Sequence, residues 1–207
     1  MSSGFKEITP ELFERLRKGD RVAFSEFYKQ YQQDVFNFCY AILHDYQKAE
    51  DVIHDTFIKF YKSVRRIRDH KACYKYMLTI ARNCCMDYLE VNTRESLVSP
   101  IHDDENEQDP TIDDLTVPAE NNPEMLLSEK ENCVRKDQLI KIVNETMKKL
   151  SPDHRAAIFL VHLKGHTYEE AGEILGWPAG TVKSTVSRGV LKLGRLLKKY
   201  KVIFDEL

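Results

Sequence analysis

Thr167-Tyr-Glu-Glu-Ala-Gly-Glu-Ile-Leu-Gly-Trp-Pro-Ala-Gly-Thr-Val-Lys-Ser-Thr-Val-Ser-Arg188 is the stretch on which the reading of this chain turns. Thr167 followed three residues on by Glu170 is a capping box, so a helix is expected to start there. Ile174 and Leu175 supply its apolar face, and Gly176 is placed to close it with positive φ. Pro178 cannot continue that helix but is pre-set to open the next. Val182, Val186, Val190, Leu193 and Leu197 fall on one side of the second helix, a 3.6-residue stripe that predicts packing. Thr181, Lys183, Ser184, Ser187 and Arg188 fall elsewhere, and all can hydrogen-bond phosphates or base edges. Two helices joined by a tight glycine-containing turn, the second one basic, read as a helix-turn-helix. The plainer alternative is a helical hairpin with a solvated charged face.

At 207 residues the chain is long enough for one large domain or two small ones. Hydrophobic content of 42% suffices for packed cores, and the 31% charged content is what helical surfaces carry. No apolar run approaches the roughly 18 residues a membrane span needs, and the Met1 end does not read as a secretory signal, so a cytoplasmic protein is expected. Five cysteines, with Cys84 and Cys85 adjacent, make a poor disulfide framework and lack zinc-site spacings, so buried free thiols are expected. The net charge of −2 hides a strong segregation. Nine Asp and Glu and no Lys or Arg lie between Ser99 and Met125, whereas basic residues outnumber acidic ones from Lys59 to Arg94 and from Asn132 to Lys201.

Residues 1–98 read as helical almost throughout. Thr9-Pro10-Glu11 is a helix start whose apolar face is Leu12, Phe13 and Leu16, ended by Gly19-Asp20. Phe24, Phe27, Tyr28, Tyr31, Val35, Phe38, Cys39 and Ile42 form a long stripe at helical spacing, expected to be core. After His44-Asp45-Tyr46 a helix is expected from Gln47 to about Ile67. Its inner face is Val52, Phe57, Phe60, Tyr61 and Val64, and its outer face is Glu50, Asp51, His54 and Asp55. That acidic face is either a solubilising complement to the helix dipole or a docking surface, and spacing alone does not choose. The basic segment Arg65 to Lys71 leads into a further helix carrying Tyr74, Tyr76, Met77, Leu78, Ala81, Cys84, Cys85 and Tyr88. Cations beside aromatics suit single-stranded nucleic acid, and equally a solvated loop. Residues 99–125, with four prolines among acids, predict a flexible acidic linker. Helical pattern then returns through Leu139, Ile142, Val143, Met147 and Leu150. Ser151-Pro152 caps a helix with Ala156, Ile158, Phe159, Leu160 and Leu163. The expectation is an all-α protein of two small helical domains, 9–98 and 126–203, joined by the 99–125 linker.

Four pieces in register resemble one family. Ala49-Glu50-Asp51 with Asp55-Thr56-Phe57, Ile80-Ala81-Arg82-Asn83 with Asp87, Leu150-Ser151-Pro152 with Arg155 and Phe159, and Tyr168-Glu169-Glu170 with Gly180-Thr181-Val182-Lys183-Ser184 and Ser187-Arg188 are similar to the bacterial RNA polymerase sigma factors of the extracytoplasmic-function group. The likeness covers roughly residues 20 to 200. It implies a non-enzymatic factor without cofactor or metal that binds core RNA polymerase, directs it to promoters and helps open the duplex. The first domain would be sigma-2-like: Glu50, Asp51, His54 and Phe57 would dock on the β′ clamp helices. Arg68, Lys71, Tyr74, Tyr76, Arg82, Asn83 and Asp87 would meet the −10 element. The second domain would be sigma-4-like, touching the β flap through its first helices and the −35 element through Thr181, Lys183, Ser184, Ser187 and Arg188. An anti-sigma factor would be a further partner.

The chain departs from the family pattern at His54, where Gln is usual, at Tyr61 and Tyr76, which replace tryptophans, and at Glu90, where a base is common. It departs again at Gly172, where Ala is usual, and at Gly189-Val190, which stands for Ala-Arg. These changes leave the promoter sequence open. The rival reading is a sigma-like decoy or a conventional helix-turn-helix regulator that never recruits polymerase. The sigma-2-like half argues against the regulator, and the retained Lys183 and Arg188 argue against the decoy. An enzymatic reading has little to stand on: His162 and His166 lie one turn apart but without a ligand set or a nucleophile–base pair.

Overall fold

The computed structural model describes residues 8–98 and 141–198, and among these all regular structure is helical. The expected linker at 99–125, Leu139 and Cys133 lie outside the described residues. The first module comprises α1 (Pro10–Arg17), α2 (Arg21–Leu43), α3 (Tyr46–Ser63), a 3₁₀ turn (Val64–Arg66) and α4 (His70–Val98). The second comprises α5 (141–148), α6 (Pro152–Ile158) continued by a π turn (Phe159–Leu163), α7 (Tyr168–Leu175) and α8 (Ala179–Leu197).

Short polar side chains set the helix starts, because the first N–H groups of a helix have no intrahelical acceptor. Thr9 accepts from the Leu12 N–H with Pro10 at the first helical position. Asp20 accepts from the N–H groups of Val22 and Ala23 at 2.8 and 3.2 Å and from Arg15 Nε at 2.9 Å, so one carboxylate caps α2 and ties it to α1. The Arg15 guanidinium, first, and these backbone bonds hold the Asp20 carboxyl below the usual carboxylate range. His44, at φ 56°, turns the chain out of α2, and Asp45 caps α3. The α3 helix therefore begins at Tyr46 and gives way to the 3₁₀ turn at Val64, earlier than the expected end near Ile67.

The core of the first module is the aromatic stripe of α2 against α3 and α4. Phe27 stacks on Phe60 with centroids 4.8 Å apart and planes 8° from parallel, and Tyr31, Phe38, Ile42, Met77 and Leu78 are fully enclosed. Cys39, Cys73, Cys84 and Cys85 are buried free thiols. Burial pushes Cys73 up to about 12, and contact with Cys39 followed by burial pushes Cys85 up as well.

In the second module the capping box is complete: Thr167 Oγ1 accepts from Glu170 N–H at 3.1 Å while Glu170 Oε2 accepts from Thr167 N–H at 3.0 Å. Gly176, at φ 70°, closes α7. Pro178 stands one place before α8 as its cap residue, and its carbonyl accepts from Thr181 and Val182. The packed face of α8 is Val182, Thr185, Val186 and Gly189, so Val190, expected inward, is exposed. The reason is Gly189: without a side chain it lets α8 settle on Ile158 and His154, which turns Val190 outward. Val143 and Leu163, also expected inward, are exposed, the latter as the last residue of the π turn, whose wider coil shifts the helical phase.

The two modules share one continuous apolar core, with α6 lying on α2 and α7 on α4. Phe159 meets Phe38 with ring centroids 5.6 Å apart. The Arg155 guanidinium, 6% exposed, donates through Nε and Nη2 to the Ile42 carbonyl and through Nη1 to those of Leu150 and Lys148. Lys164 Nζ pairs with Asp34 Oδ1 at 2.6 Å, and His44 Nε2 donates to the Asn144 carbonyl at 2.7 Å.

Two glycines of the helix-turn-helix separate by environment. A Cβ on Gly172 would sit 2.5 Å from the Trp177 carbonyl oxygen, which belongs to the turn itself, whereas one on Gly194 would meet nothing within 4 Å. Gly172→Ala is therefore expected to destabilise by about 1–3 kcal/mol, and Gly194→Ala, in a helix interior, to stabilise by about 0.5–1 kcal/mol; thermal unfolding of both variants checks the sign. Burial, before any neighbouring charge, holds His44, His154 and His166 below the ordinary 6.5. The unfolded chain then binds more protons than the folded one once the pH drops beneath 6.5. This stability is complete above that value and is lost on the way down. The melting temperature is expected to fall between about pH 7 and about pH 5.5, with a shallower slope in His166→Asn.

Candidate nucleic-acid interface

On α8 the residues singled out from the sequence share one open surface. Thr181, Lys183, Ser184, Ser187 and Arg188 are all exposed, while Val182, Thr185, Val186 and Gly189 hold the opposite side to α6 and α7. From Thr181 to Arg188 the helix rises about 10 Å, within the roughly 12 Å width of a major groove. Ser184 Oγ donates to the Thr181 carbonyl and Arg188 Nε to the Ser184 carbonyl at 3.2 Å, so both side chains lie along the helix until a ligand draws them out. Lys192 and Arg195 continue the exposed basic edge, and sequence reasoning passed them over although their spacing from Arg188 is helical. His154 lies beneath this edge. Burial first, then the charges of Lys192 and Arg188, holds its pKa below the ordinary value.

In the first module the candidate residues divide. The 3₁₀ turn is pinned by buried Val64 and Ile67, which leaves Arg65, Arg66, Arg68 and Lys71 exposed around the start of α4. Asp69 accepts from the Lys71 N–H at 3.0 Å and so fixes the entry to that helix. Tyr76 is 39% exposed, and Asn83, seven residues on, lies exposed on the same face. Tyr74, expected among the exposed aromatics, is instead a core residue, 6% exposed, its ring 5.5 Å from that of Tyr31. Arg82 faces the second module, with Nη2 3.8 Å from Asp153 Oδ1 and its guanidinium 5.6 Å from the centre of the Trp177 ring. Lys75, which the sequence reading omitted, shares that side of α4 and pairs with Glu173 of α7. Its place four residues after Lys71 and seven before Arg82 is the signal that marks it. Asp87 turns the other way. It pairs with Lys59 at 3.6 Å across a groove of about 190 Å³ between α3 and α4, lined also by Val52, Asp55 and Tyr88.

The outer face of α3 carries Glu50, Asp51, His54 and Asp55, all exposed, and with them Ile58, 52% exposed. Ile58 is thus an apolar side chain held in water beside the acidic residues. Phe57 is not part of that face. At 3% exposure it packs beneath the helix against Tyr28, with centroids 4.7 Å apart, and against Phe27 and Phe24. It positions the acidic face instead of presenting itself there.

Among the described residues no group of three or more His, Cys, Asp or Glu is arranged to hold a metal ion, and no helix is long and apolar enough to cross a membrane.

Comparison with known proteins agrees with this division into two binding modules. Residues 27–95 match the family of Sigma-70 region 2, and residues 140–193 match Sigma-70, region 4. The ECF RNA polymerase sigma-E factor of Haemophilus influenzae is 35% identical over 182 residues, covering 86% of this chain and 88% of its own. The RNA polymerase sigma-H factor of Pseudomonas aeruginosa is 27% identical over 186 residues, covering 88% and 90%. Among solved structures, the sigma factor RpoE of Bartonella quintana, in complex with the anti-sigma factor NepR, superposes with a TM-score of 0.63. Its sequence identity is 23%, over 84% of this chain and 96% of that one. CnrH in complex with the cytosolic domain of CnrY gives 0.59 at 16% identity, over 91% and 96%. At these identities the two structures speak for the fold.

The different placements of Phe57 and Ile58 separate support from contact. Phe57→Ala is expected to cost about 3–5 kcal/mol of folding stability, whereas Ile58→Ala is expected to stay within about 0.5 kcal/mol of the wild type. Urea unfolding measures both.

Proposed function

Because the chain belongs to the extracytoplasmic-function group of sigma factors, which bind core RNA polymerase and direct it to promoters, we propose that its separate exposed faces divide that work residue by residue. Glu50, Asp51, His54 and Ile58 on α3 form the polymerase-docking face, meeting the β′ clamp helices, with Phe57 supporting them from below. Arg68, Lys71, Tyr76 and Asn83 receive the non-template strand of the −10 element. A base drawn out of the stack costs a few kcal/mol, and cations beside an exposed aromatic supply contacts that only an unpaired strand offers. Tyr74 serves by fixing α4 against α2. Asp87 lines the groove beside the docking face.

The observation that carries this reading is α8: five hydrogen-bonding side chains exposed along about two turns, on a helix whose other side is locked by a capped, glycine-tightened turn. Arg188 is the guanine-reading candidate for the −35 element, since a guanidinium fork matches two acceptors on one base edge. Lys183 takes phosphate, and Thr181, Ser184 and Ser187 set the register. Residues 9–98 and 126–203 act as the two promoter-binding domains, with 99–125 as the acidic tether between them. Sigma factors of this family are non-catalytic initiation factors, and we assign no reaction to this chain. Its place is the cytoplasm, where polymerase and promoter are. One solved relative is a complex with an anti-sigma factor, NepR, which supports a partner of that kind here.

Run-off transcription with bacterial core polymerase and a randomised promoter library tests the reading. Wild-type protein is expected to select sequences at both elements, and no selection at either would overturn it. Arg188→Ala is expected to lose about 1–3 kcal/mol of discrimination at one −35 position. Lys183→Ala is expected to weaken binding evenly across sequences and to lower the salt slope by about 1.

A further inference from the structure

The outward face of α8 holds a large side chain that hydrogen bonding does not explain. Leu191 is 58% exposed. It follows Ser184 by seven residues, Ser187 by four and Arg188 by three, and Arg195 comes four residues after it. At about 100° per residue, this spacing puts Leu191 in the middle of the exposed stripe rather than at its margin. A helical side chain covers the turn N-terminal to its own Cα, which sets Leu191 over the turn of Ser187 and Arg188. Arg188 Nε reaches back to the Ser184 carbonyl, so the guanidinium and the leucine lie side by side along one face.

Among the described residues the fold gives Leu191 no packing role. The buried side of α8 is Val182, Thr185, Val186 and Gly189, and Leu191 is not a member of the apolar core. Gly189 sets this phase by its close approach to Ile158 and His154 of α6. Two residues on, about 200° around the axis, Leu191 points away from that contact. A lone exposed leucine needs no explanation in general. This one is framed by two serines and two arginines, the groups that meet phosphates and base edges, so the occupant of its face is duplex DNA. In a major groove the apolar group on a base edge is the C5 methyl of thymine. Leu191 has nothing to offer the polar edges and a full hydrocarbon surface to offer that methyl.

Resting on the assignment of α8 to the −35 element, we infer that Leu191 is a specificity-determining residue that packs on the methyl group of a thymine beside the guanine met by Arg188. Three residues of helix rise about 4.5 Å, little more than one base-pair step of about 3.4 Å. The thymine, on either strand, therefore lies within about two base pairs of that guanine. The contact distinguishes thymine from cytosine, which has no methyl at that carbon. It neutralises no phosphate, so it shapes sequence choice without adding to the salt dependence.

The test uses holoenzyme assembled from the full chain and bacterial core polymerase, with promoters selected from a library randomised at the −35 element. In the selected promoter each −35 thymine is replaced in turn by deoxyuridine, which keeps the pairing edge and lacks only the methyl, and binding is measured by competition. One replacement is expected to weaken the wild-type holoenzyme about 3–5-fold, the worth of burying one methyl group. The same replacement is expected to leave Leu191→Ala unaffected, while that variant keeps the guanine preference, the salt slope and, at so exposed a site, the melting temperature of the wild type. Leu191→Met, apolar and of similar volume, is expected to retain the methyl effect. A selected −35 element in which no replacement matters, or a methyl effect that persists in full in Leu191→Ala, overturns the thymine contact and leaves the −35 assignment standing. Absence of any −35 selection by the wild type overturns both.

Discussion

A positive charge buried without a carboxylate beside it has to be satisfied by dipoles, and Arg155 is satisfied by carbonyls. Its fork gathers the oxygen of Ile42, at the C-terminal end of α2, with those of Lys148 and Leu150 from the turn before α6. Burial lowers its pKa from the ordinary 12.5, but arginine remains charged in proteins. The negative end of the α2 dipole favours a cation at that spot, and the last carbonyls of a helix have no intrahelical donor. One side chain therefore answers two needs: it shapes the 148–150 turn of its own module and finishes a helix of the other. The neighbouring Phe159–Phe38 contact lies in the same seam.

The placement of the second module follows from that seam and decides which surfaces remain in water. With α6 along α2 and α7 along α4, the acidic side of α3 and the outer side of α8 look away from the interface. The basic side of α4 is split instead. Arg68 and Lys71 stay exposed near its start, and Lys75 and Arg82 face carboxylates. A helix with a single continuous cationic stripe in sequence thus has two electrostatic environments in the folded protein.

Local rules carried much of the architecture. The caps at Thr9, Ser151 and Thr167 are where their short polar side chains and following residues place them, and the α2 stripe from Phe27 to Ile42 is core. The helix-turn-helix was legible because its turn depends on Gly176, Pro178 and neighbouring side chains alone. What the sequence did not disclose was the orientation of residues whose environment comes from elsewhere. Tyr74 and Tyr76 are equivalent as letters, and only the packing of α4 on α2 sends one inward and the other out. Phe57 carries the family's pattern but belongs to the core because Phe24, Phe27 and Tyr28 surround it. Val190 was misjudged since a bare glycine, not a valine, makes the closest approach to α6. Arg155 and Lys164 meet partners more than a hundred residues away, across a tether whose composition says nothing about where its ends settle.

The π turn at Phe159–Leu163 fixes the phase of everything that follows it. Its wider coil is closed by Lys164 N–H reaching the Phe159 carbonyl and His166 N–H reaching that of Leu160. Such a turn is an α-helix with one residue added. Deleting that residue would swing the chain beyond it by about 100° around the helix axis. Phe159 would keep its seat on Phe38 while the DNA-reading helix pointed in a new direction. Length in this short segment is thus under tighter restraint than side-chain identity, for Leu163 itself stands in water.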